Sequence, residues 1–206
     1  MRKNSEAWDK DYSQRGAIWS GAVHHLPALP PGSRVLELGC GNGKGLASMC
    51  LRHWEVTAID FSPCAVRMCK PIIDAVHNGS LCVADVRSMP FAPDVFDGVI
   101  ATHVLSHMLC SDRSGAALEA VRLLKKGGTL YFSGFSLEDF RAGTGSGVEP
   151  GTIQQCLGIC THFFTEQEVQ VLFCTLTLQS ITTKRWSLRI RGQDFPRAEI
   201  QAMFIK

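Results

Sequence analysis

The 206-residue chain predicts an α/β fold around a mostly parallel sheet, and three observations carry that expectation. Short apolar runs alternate with helix-length segments. The runs 34–38 (RVLEL) and 95–102 (VFDGVIAT) are almost continuously apolar, as strands covered on both faces require. Gly and Pro punctuate the boundaries, from Pro30-Pro31-Gly32 ahead of the first strand to Gly127-Gly128 ahead of a later one.

The elements follow in order. A helix is expected from Lys44 to His53 after the first strand, then a second strand over 55–60 (EVTAID). Ser62-Pro63 opens the next helix, with serine as a cap for orphan amides and proline at the first helical position. Pro71 is expected to kink or restart that helix. Residues 81–84 form a third strand and 95–102 a fourth. A helix over 112–125 carries Ala117, Leu118, Val121 and Leu124 and is expected to end at Gly127-Gly128, where a positive φ costs little. Residues 129–135 (TLYFSGF) make the fifth strand. The polar, Gly-rich stretch 136–164 is longer than a plain connector, and such stretches are functional or mobile. Thr165 to Glu168 reads as a capping box before a last helix. Runs 176–190 and 198–205, with a turn near Gly192-Gln193-Asp194, form an antiparallel pair closing the sheet edge and bring the strands to seven. With no linker in sight, residues 1–206 are expected to form a single domain.

Composition excludes several classes. Hydrophobic residues make up 45% and charged residues 19%, an ordinary globular balance. Lys plus Arg number 21 against 19 for Asp plus Glu, so no nucleic-acid partner is expected; the basic stretch 184–197 reads as a solvated strand face. No run of 18 apolar residues is present, so no membrane span is expected. The N-terminus is polar, without the apolar core of an export signal, and the nine cysteines are scattered and odd in number. Together these suggest a reducing, cytoplasmic setting.

The stretch VLELGCGNGKG (35–45) points to chemistry. Glycines directly after a parallel strand let a ligand touch main chain at the carboxyl end of the sheet. The register is Gly39, Gly41, Gly43, Gly45. A dinucleotide motif needs its third glycine at position 44, which is Lys44; a P-loop needs Ser or Thr at position 45. Neither phosphate motif is met. Asp60 closes the second strand 21 residues after Gly39, at the spacing of a ribose-binding acid. Asp85 ends the third strand, where its carboxylate faces an adenine amine or simply a turn. A nucleoside without pyrophosphate is the natural ligand.

These pieces (VLELGCGNGKG, AIDFSP, ADVRSMPF, FDGVIATHVLSHM and LLKKGGTLYFSGF) resemble the class I S-adenosylmethionine-dependent methyltransferases, in particular the group that includes the ubiquinone/menaquinone methyltransferases. The resemblance covers about residues 34–135. It implies a Rossmann-like, doubly wound sheet with a reversed last strand, and S-adenosyl-L-methionine as cofactor. It places Gly39, Cys40 and Gly41 against the methionine part, Asp60 on the ribose, Phe61 beside the adenine, and Asp85 and the Val86 amide at the adenine edge. Thr102 and His103 would meet the methionine amine through backbone carbonyl, and Glu37 would orient the loop. The arm 1–30 is similar to one that relatives fold over the cofactor, with Tyr12 and Trp19 as cover or as outside packing. Residues 136–164 become an acceptor-side loop or lid, with Phe163 and Phe164 as apolar walls.

The implied function is methyl transfer to an unidentified, small-molecule acceptor. The cofactor supplies the difficult chemistry, and the protein supplies position and dehydration. His103 and His107 are the candidate bases, if a side-chain base is used. Their HVLSH spacing lacks the Glu of a zinc motif, so no metal is expected. CLGICTH (156–162) lacks a third cysteine at position 163, which rejects radical chemistry; a thiol site for a soft substrate is the remaining minor reading. Arg141 and Glu149 either contact a polar acceptor or face solvent. Two alternatives stand beside this reading: an NAD-dependent oxidoreductase, against which Lys44 and the lack of a Tyr-x-x-x-Lys pair count, and a catalytically silent S-adenosylmethionine-binding regulatory protein. The chain is expected to act as a monomer or homodimer.

Overall fold

The computed structural model describes residues 2–15, 26–76, 78–154 and 158–206. Its elements are α1 (Arg2–Arg15), β1 (Arg34–Leu38), α2 (Lys44–Cys50), β2 (Glu55–Asp60), α3 (Pro63–Val76), β3 (Gly79–Val83), β4 (Phe96–Thr102), α4 (Cys110–Leu123), β5 (Leu124–Phe135), β6 (Ser146–Glu149), β7 (Thr152–Gln154), β8 (Cys160–His162), α5 (Glu166–Leu172), β9 (Thr177–Ile190) and β10 (Gln193–Ile205).

Seven strands make one sheet in the order β3-β2-β1-β4-β5-β10-β9. The first five run parallel, and β10 is antiparallel to both β5 and β9. The alternation of side chains along each strand builds two cores. Leu36, Leu38, Ile59, Val99, Ala101, Leu130 and Phe132 face α4 and α5, packing on Ala116, Ala120, Val169 and Phe173. Val35, Val56, Ala58, Ile100 and Tyr131 face the other way, onto Leu46 and Met49 of α2, Cys69 of α3, and Trp54. This is the doubly wound architecture expected, and it explains the continuous apolar runs.

The strand order reverses between β1 and β4, so a crevice lies beyond their carboxyl ends. The glycine loop leaves β1 there and His103 leaves β4 there. The His103 amide donates to the Ser133 carbonyl at 2.7 Å, tying the end of β4 to β5.

Three expectations change. Helix α3 passes unbroken through Pro71, which lies on its exposed side. Helix α4 stops at Leu123 rather than at Gly127-Gly128, because Leu124 already pairs with Phe96; Gly127 keeps its positive φ of 76° inside β5, where the register shifts. The stretch 136–164 is more than a loop. Its β6, β7 and β8 form a separate three-stranded antiparallel sheet after a helical turn at Phe140–Gly143.

Both N-cap side chains bond as expected, but the capping box at Thr165 is half made, because the Glu168 carboxylate meets His162 at 2.8 Å. Ser62 Oγ accepts from the Ala65 amide at 3.2 Å, and Thr165 Oγ1 accepts from the Glu168 amide at 3.1 Å. Among the described residues, no helix is long and apolar enough to cross a membrane.

Candidate functional site

The crevice has two sides: the loops after β1, β2 and β3 make the one expected to take the cofactor, and the ends of β4 and β5 make the one expected to take the acceptor. On the first side the glycines serve side chains as well as a ligand. Gly41 has φ 50°, and a Cβ there would lie 2.8 Å from the Tyr12 hydroxyl, so only glycine lets α1 close on the loop. A Cβ at Gly45 would collide with the Glu37 carboxyl. Glu37 is buried at the end of β1, with Oε2 unpartnered among the described residues. Burial, with the nearby Cys69 and Asp60, pushes its pKa well above the ordinary carboxylate value. Cys40 is buried beside Cys69; that thiol and burial push its own pKa up, so it stays an inert thiol.

Asp60 braces the loop. Oδ2 accepts from the Gly41 amide at 3.0 Å and Oδ1 from the Ser62 amide at 2.9 Å. Burial raises its pKa, opposed by the Ser62, Gly41 and Phe61 amides. Phe61 next to it is exposed. Helix α1 docks over this region: Asp9 Oδ1 accepts from Ser62 Oγ at 2.6 Å and from the Cys64 amide at 2.9 Å. Tyr12 is buried under α1 and its pKa is raised by burial. A hollow of about 400 Å³ opens between α1 and the start of α3, lined by Glu6, Asp9, Lys10, Ser13, Phe61 and Pro63. Trp19, the other expected cover residue, lies outside the described residues.

Asp85 has a partner that sequence reading did not supply. Arg87 forks onto it at 2.9 and 2.6 Å and also reaches Asp112 of α4 at 2.5 Å. The Arg87 hydrogen bond holds the Asp85 pKa below its ordinary value, against the opposing effect of burial. The Val86 side chain is buried in the core, and Thr102 sits half-buried at the end of β4.

On the acceptor side, aromatic rings and charges converge. His103 has φ 57°, a sparsely populated backbone state for histidine. Its ring stacks on Phe135 with centroids 4.2 Å apart, and Nε2 lies 3.4 Å from Glu199 Oε2 on β10. His103 Nδ1 is buried and has no partner among the described residues. Burial raises the Glu199 pKa, but the hydrogen bond from His103 and further contacts with Gln201 and Lys184 outweigh it, so the net direction is down. His107 lies within hydrogen-bond reach of the Cys160 carbonyl, Nδ1 to oxygen 3.0 Å, and its pKa falls to about 4, chiefly through burial. His107 is therefore a neutral imidazole at neutral pH. Trp8 of α1 meets the His107 ring edge-on at 4.8 Å. Phe163 lies 6.1 Å from Phe135, whereas Phe164 belongs to the core against Phe132.

Glu149 fastens the small sheet instead of meeting an acceptor. It accepts from Arg113 at 2.9 Å, Thr152 at 3.0 Å and the Cys110 amide at 2.9 Å. His162, buried, joins the same network through Thr152 at 2.7 Å and Glu168 at 2.8 Å, so it is no thiol-site partner. Cys156 lies outside the described residues. Among the described residues no group of His, Cys, Asp and Glu is arranged to hold a metal ion. Sequence reading missed Glu199, Phe135 and Trp8. Phe135 closes the LLKKGGTLYFSGF motif and Trp8 lies in the N-terminal arm, but only the fold shows that they meet His103 and His107; Glu199 comes from β10, far from the motifs, and reaches the end of β4 through the sheet order.

Residues 36–132 match the family described as a methyltransferase domain. The chain is 34% identical over 130 residues to the tRNA (carboxymethyluridine(34)-5-O)-methyltransferase of Xenopus tropicalis, covering 61% of this chain and 19% of that protein. It is 30% identical over 132 residues to the 2-methyl-6-phytyl-1,4-hydroquinone methyltransferase of Synechocystis, covering 64% and 40%. The chain thus spans about a fifth to two fifths of the length of these relatives. A solved S-adenosylmethionine-dependent methyltransferase from Methanosarcina mazei shares the fold, with a TM-score of 0.70 over 86% of this chain and 94% of that one, at 22% identity.

Proposed function

We propose that this chain is a class I S-adenosylmethionine-dependent methyltransferase, as the methyltransferase-domain match over residues 36–132 supports, and that it methylates an O–H or N–H group of a flat, small-molecule acceptor, with His103 as the general base. One observation carries this reading: the His103–Glu199 pair with its unpartnered, buried Nδ1. Glu199 favours the proton on Nε2, which leaves Nδ1 as the lone-pair nitrogen. A carboxylate that fixes the tautomer and stabilises the imidazolium is the logic of a positioned base. His107, with a pKa near 4, is too weak a base for the task and walls the site.

On the cofactor side, Gly39, Cys40 and Gly41 receive the methionine part, Asp60 the ribose, and Phe61 and Asp85 the adenine. The oxygens of Asp60 each keep a lone pair beyond their amide bonds. Tyr12 and Trp8 make α1 the cover that closes over both ligands. When bound, S-adenosylmethionine supplies an electrophilic methyl group; the chain's own residues align the acceptor, exclude water and take its proton.

The rings of Trp8, His103, His107, Phe135 and Phe163 form walls suited to a flat molecule. A second reading, an exposed uridine in RNA, is favoured by the likeness to the Xenopus tRNA enzyme. Labelled S-adenosylmethionine incubated with separate small-molecule and total-tRNA fractions distinguishes them. Label in the small-molecule fraction, lost in Glu199→Gln at neutral pH and partly regained at higher pH, supports the first reading. Label in tRNA alone replaces it with the second.

A further inference from the structure

The small sheet β6–β8 is tied to the body of the protein by one cluster of charges. Arg113 of α4 is buried, and its Nη1 donates to Glu149 Oε1 of β6 at 2.9 Å and to the Met108 carbonyl at 2.6 Å. Its Nη2 lies 3.7 Å from Glu168 Oε1 of α5. His162 of β8 is buried between Thr152 Oγ1, 2.7 Å from Nδ1, and Glu168 Oε1, 2.8 Å from Nε2. Gly151 makes room for the ring, since a Cβ at its φ of 71° would lie 3.0 Å from His162 Cε1. The same segment is anchored again at the Phe140–Gly143 turn, where Arg141 lies over the Phe135 ring at 4.2 Å and pairs with Asp139 at 2.8 Å.

One hydroxyl proton decides the state of the His162 ring. Thr152 Oγ1 also lies 3.0 Å from Glu149 Oε1. Burial alone would raise the pKa of Glu149 and of Glu168, but hydrogen bonds and the Arg113 charge outweigh it in both, so both are ionised. An ionised carboxylate only accepts. The Thr152 proton therefore goes to Glu149, and the Thr152 oxygen accepts from Nδ1–H of His162. Glu168 accepts from Nε2–H. Both ring nitrogens donate, which only the imidazolium can do. The charges then close, with Arg113 and His162 against Glu149 and Glu168. A neutral ring would leave two carboxylates on one guanidinium and would turn the Thr152 hydroxyl away from Glu149. The further titratable groups beside β8 are its own Cys160 thiol, which burial pushes up, and His107, whose pKa near 4 keeps it neutral.

We propose that His162 is an imidazolium latch, whose second ring proton closes the charge cluster that holds β6–β8 against α4 and α5. The effect reaches the crevice, because β8 supplies the Cys160 carbonyl beside His107 and leads directly into Phe163 beside Phe135. Loss of that proton frees the small sheet, and with it one wall of the crevice. His162 acts through the sheet it fastens and is a positioning residue. The inference goes beyond the methyltransferase reading and holds whatever the acceptor is.

Nitrogen–proton correlation spectra of the full chain at pH 7, with isotope-labelled histidine, read the two ring nitrogens separately. Both nitrogens of His162 are expected to carry a proton. Glu168→Gln keeps a carbonyl oxygen for Nε2–H and removes only the charge, so its His162 should lose the Nδ1 proton. Amides of β6, β7 and β8 should then exchange at least about tenfold faster, while those of β1, β4 and β5 exchange as in the wild type, which checks the folding of the variant. A bare ring nitrogen in the wild type overturns the inference. So does a folded Glu168→Gln in which the ring stays doubly protonated or the small sheet exchanges at the wild-type rate. If the variant fails the folding check, the wild-type spectrum decides by itself.

Discussion

The two sides of the crevice are built differently. The cofactor side is made of main chain: amides of Gly41 and Ser62 around Asp60, and glycines that leave room for Tyr12 and Glu37. The acceptor side is made of side chains drawn from β4, β5, β10, α1 and the lid. Backbone recognition needs particular residues at fixed spacing in one short stretch, and it serves one unchanging ligand. Side-chain recognition tolerates change at each position, and under the proposed function that is where the acceptor is chosen.

Their responses to mutation and pH should differ accordingly. The largest expected effect is on the backbone side. Gly41→Val forces a β-branched residue to a φ of 50° and against Tyr12, and should weaken S-adenosylhomocysteine binding about 30-fold or more, equivalent to at least about 2 kcal/mol. Calorimetry reads this directly, and retained affinity would show that the loop does not meet the ligand. Asp60→Ala removes an anionic acceptor and the brace on Gly41 together, and should cost about 1.5–3 kcal/mol of binding, tenfold or more. Unchanged affinity in a folded variant would take Asp60 out of the site.

Acid should loosen the acceptor side first. His107 has a folded pKa near 4 against an ordinary 6.5, so the unfolded chain takes up its proton earlier. The stabilisation is present above pH 6.5 and is lost as pH falls toward 4; between pH 7 and pH 5 it amounts to about 2 kcal/mol. Denaturant melts of His107→Gln should lack this part of the slope. If the two proteins lose stability in parallel, the buried neutral histidine is wrong.

Alkali should act on the other side. Glu37 has its folded pKa raised, so its contribution is complete below the unfolded pKa and declines as pH rises. As pH rises past the ordinary carboxylate value, the wild type should lose up to about 1.4 kcal/mol per pH unit relative to Glu37→Gln until the folded carboxyl itself ionises. Equal slopes for the two would mean that Glu37 is ionised in the fold.

The same contrast explains what could be read in the sequence. The sheet, its direction and its reversed end were legible because strand periodicity, Gly and Pro act locally. Gly41, Asp60 and Asp85 could be singled out because strand ends and the spacing from Gly39 mark them; Glu37, inside β1, came only from the family resemblance. The lid sheet was not, since β6 to β8 are three or four residues each and are held by the Glu149–Arg113–His162 network rather than by propensity. Glu199 was hidden for another reason: it meets His103, 96 residues away, only because β10 lies beside β5 in a register that pairs Glu199 with Phe135. Arg87 shows a limit even inside a motif, since besides its fork onto Asp85 it reaches Asp112 on the next helix, a contact that spacing does not reveal.

The most direct test of this division is a calorimetric titration of S-adenosylhomocysteine into the wild-type protein, Asp60→Ala and Arg141→Met. The account predicts tight binding to the wild type, at least tenfold weaker binding to Asp60→Ala, and wild-type affinity for Arg141→Met. No binding to the wild type, or equal weakening in both variants, would contradict a cofactor side built from main chain and separate from the acceptor side.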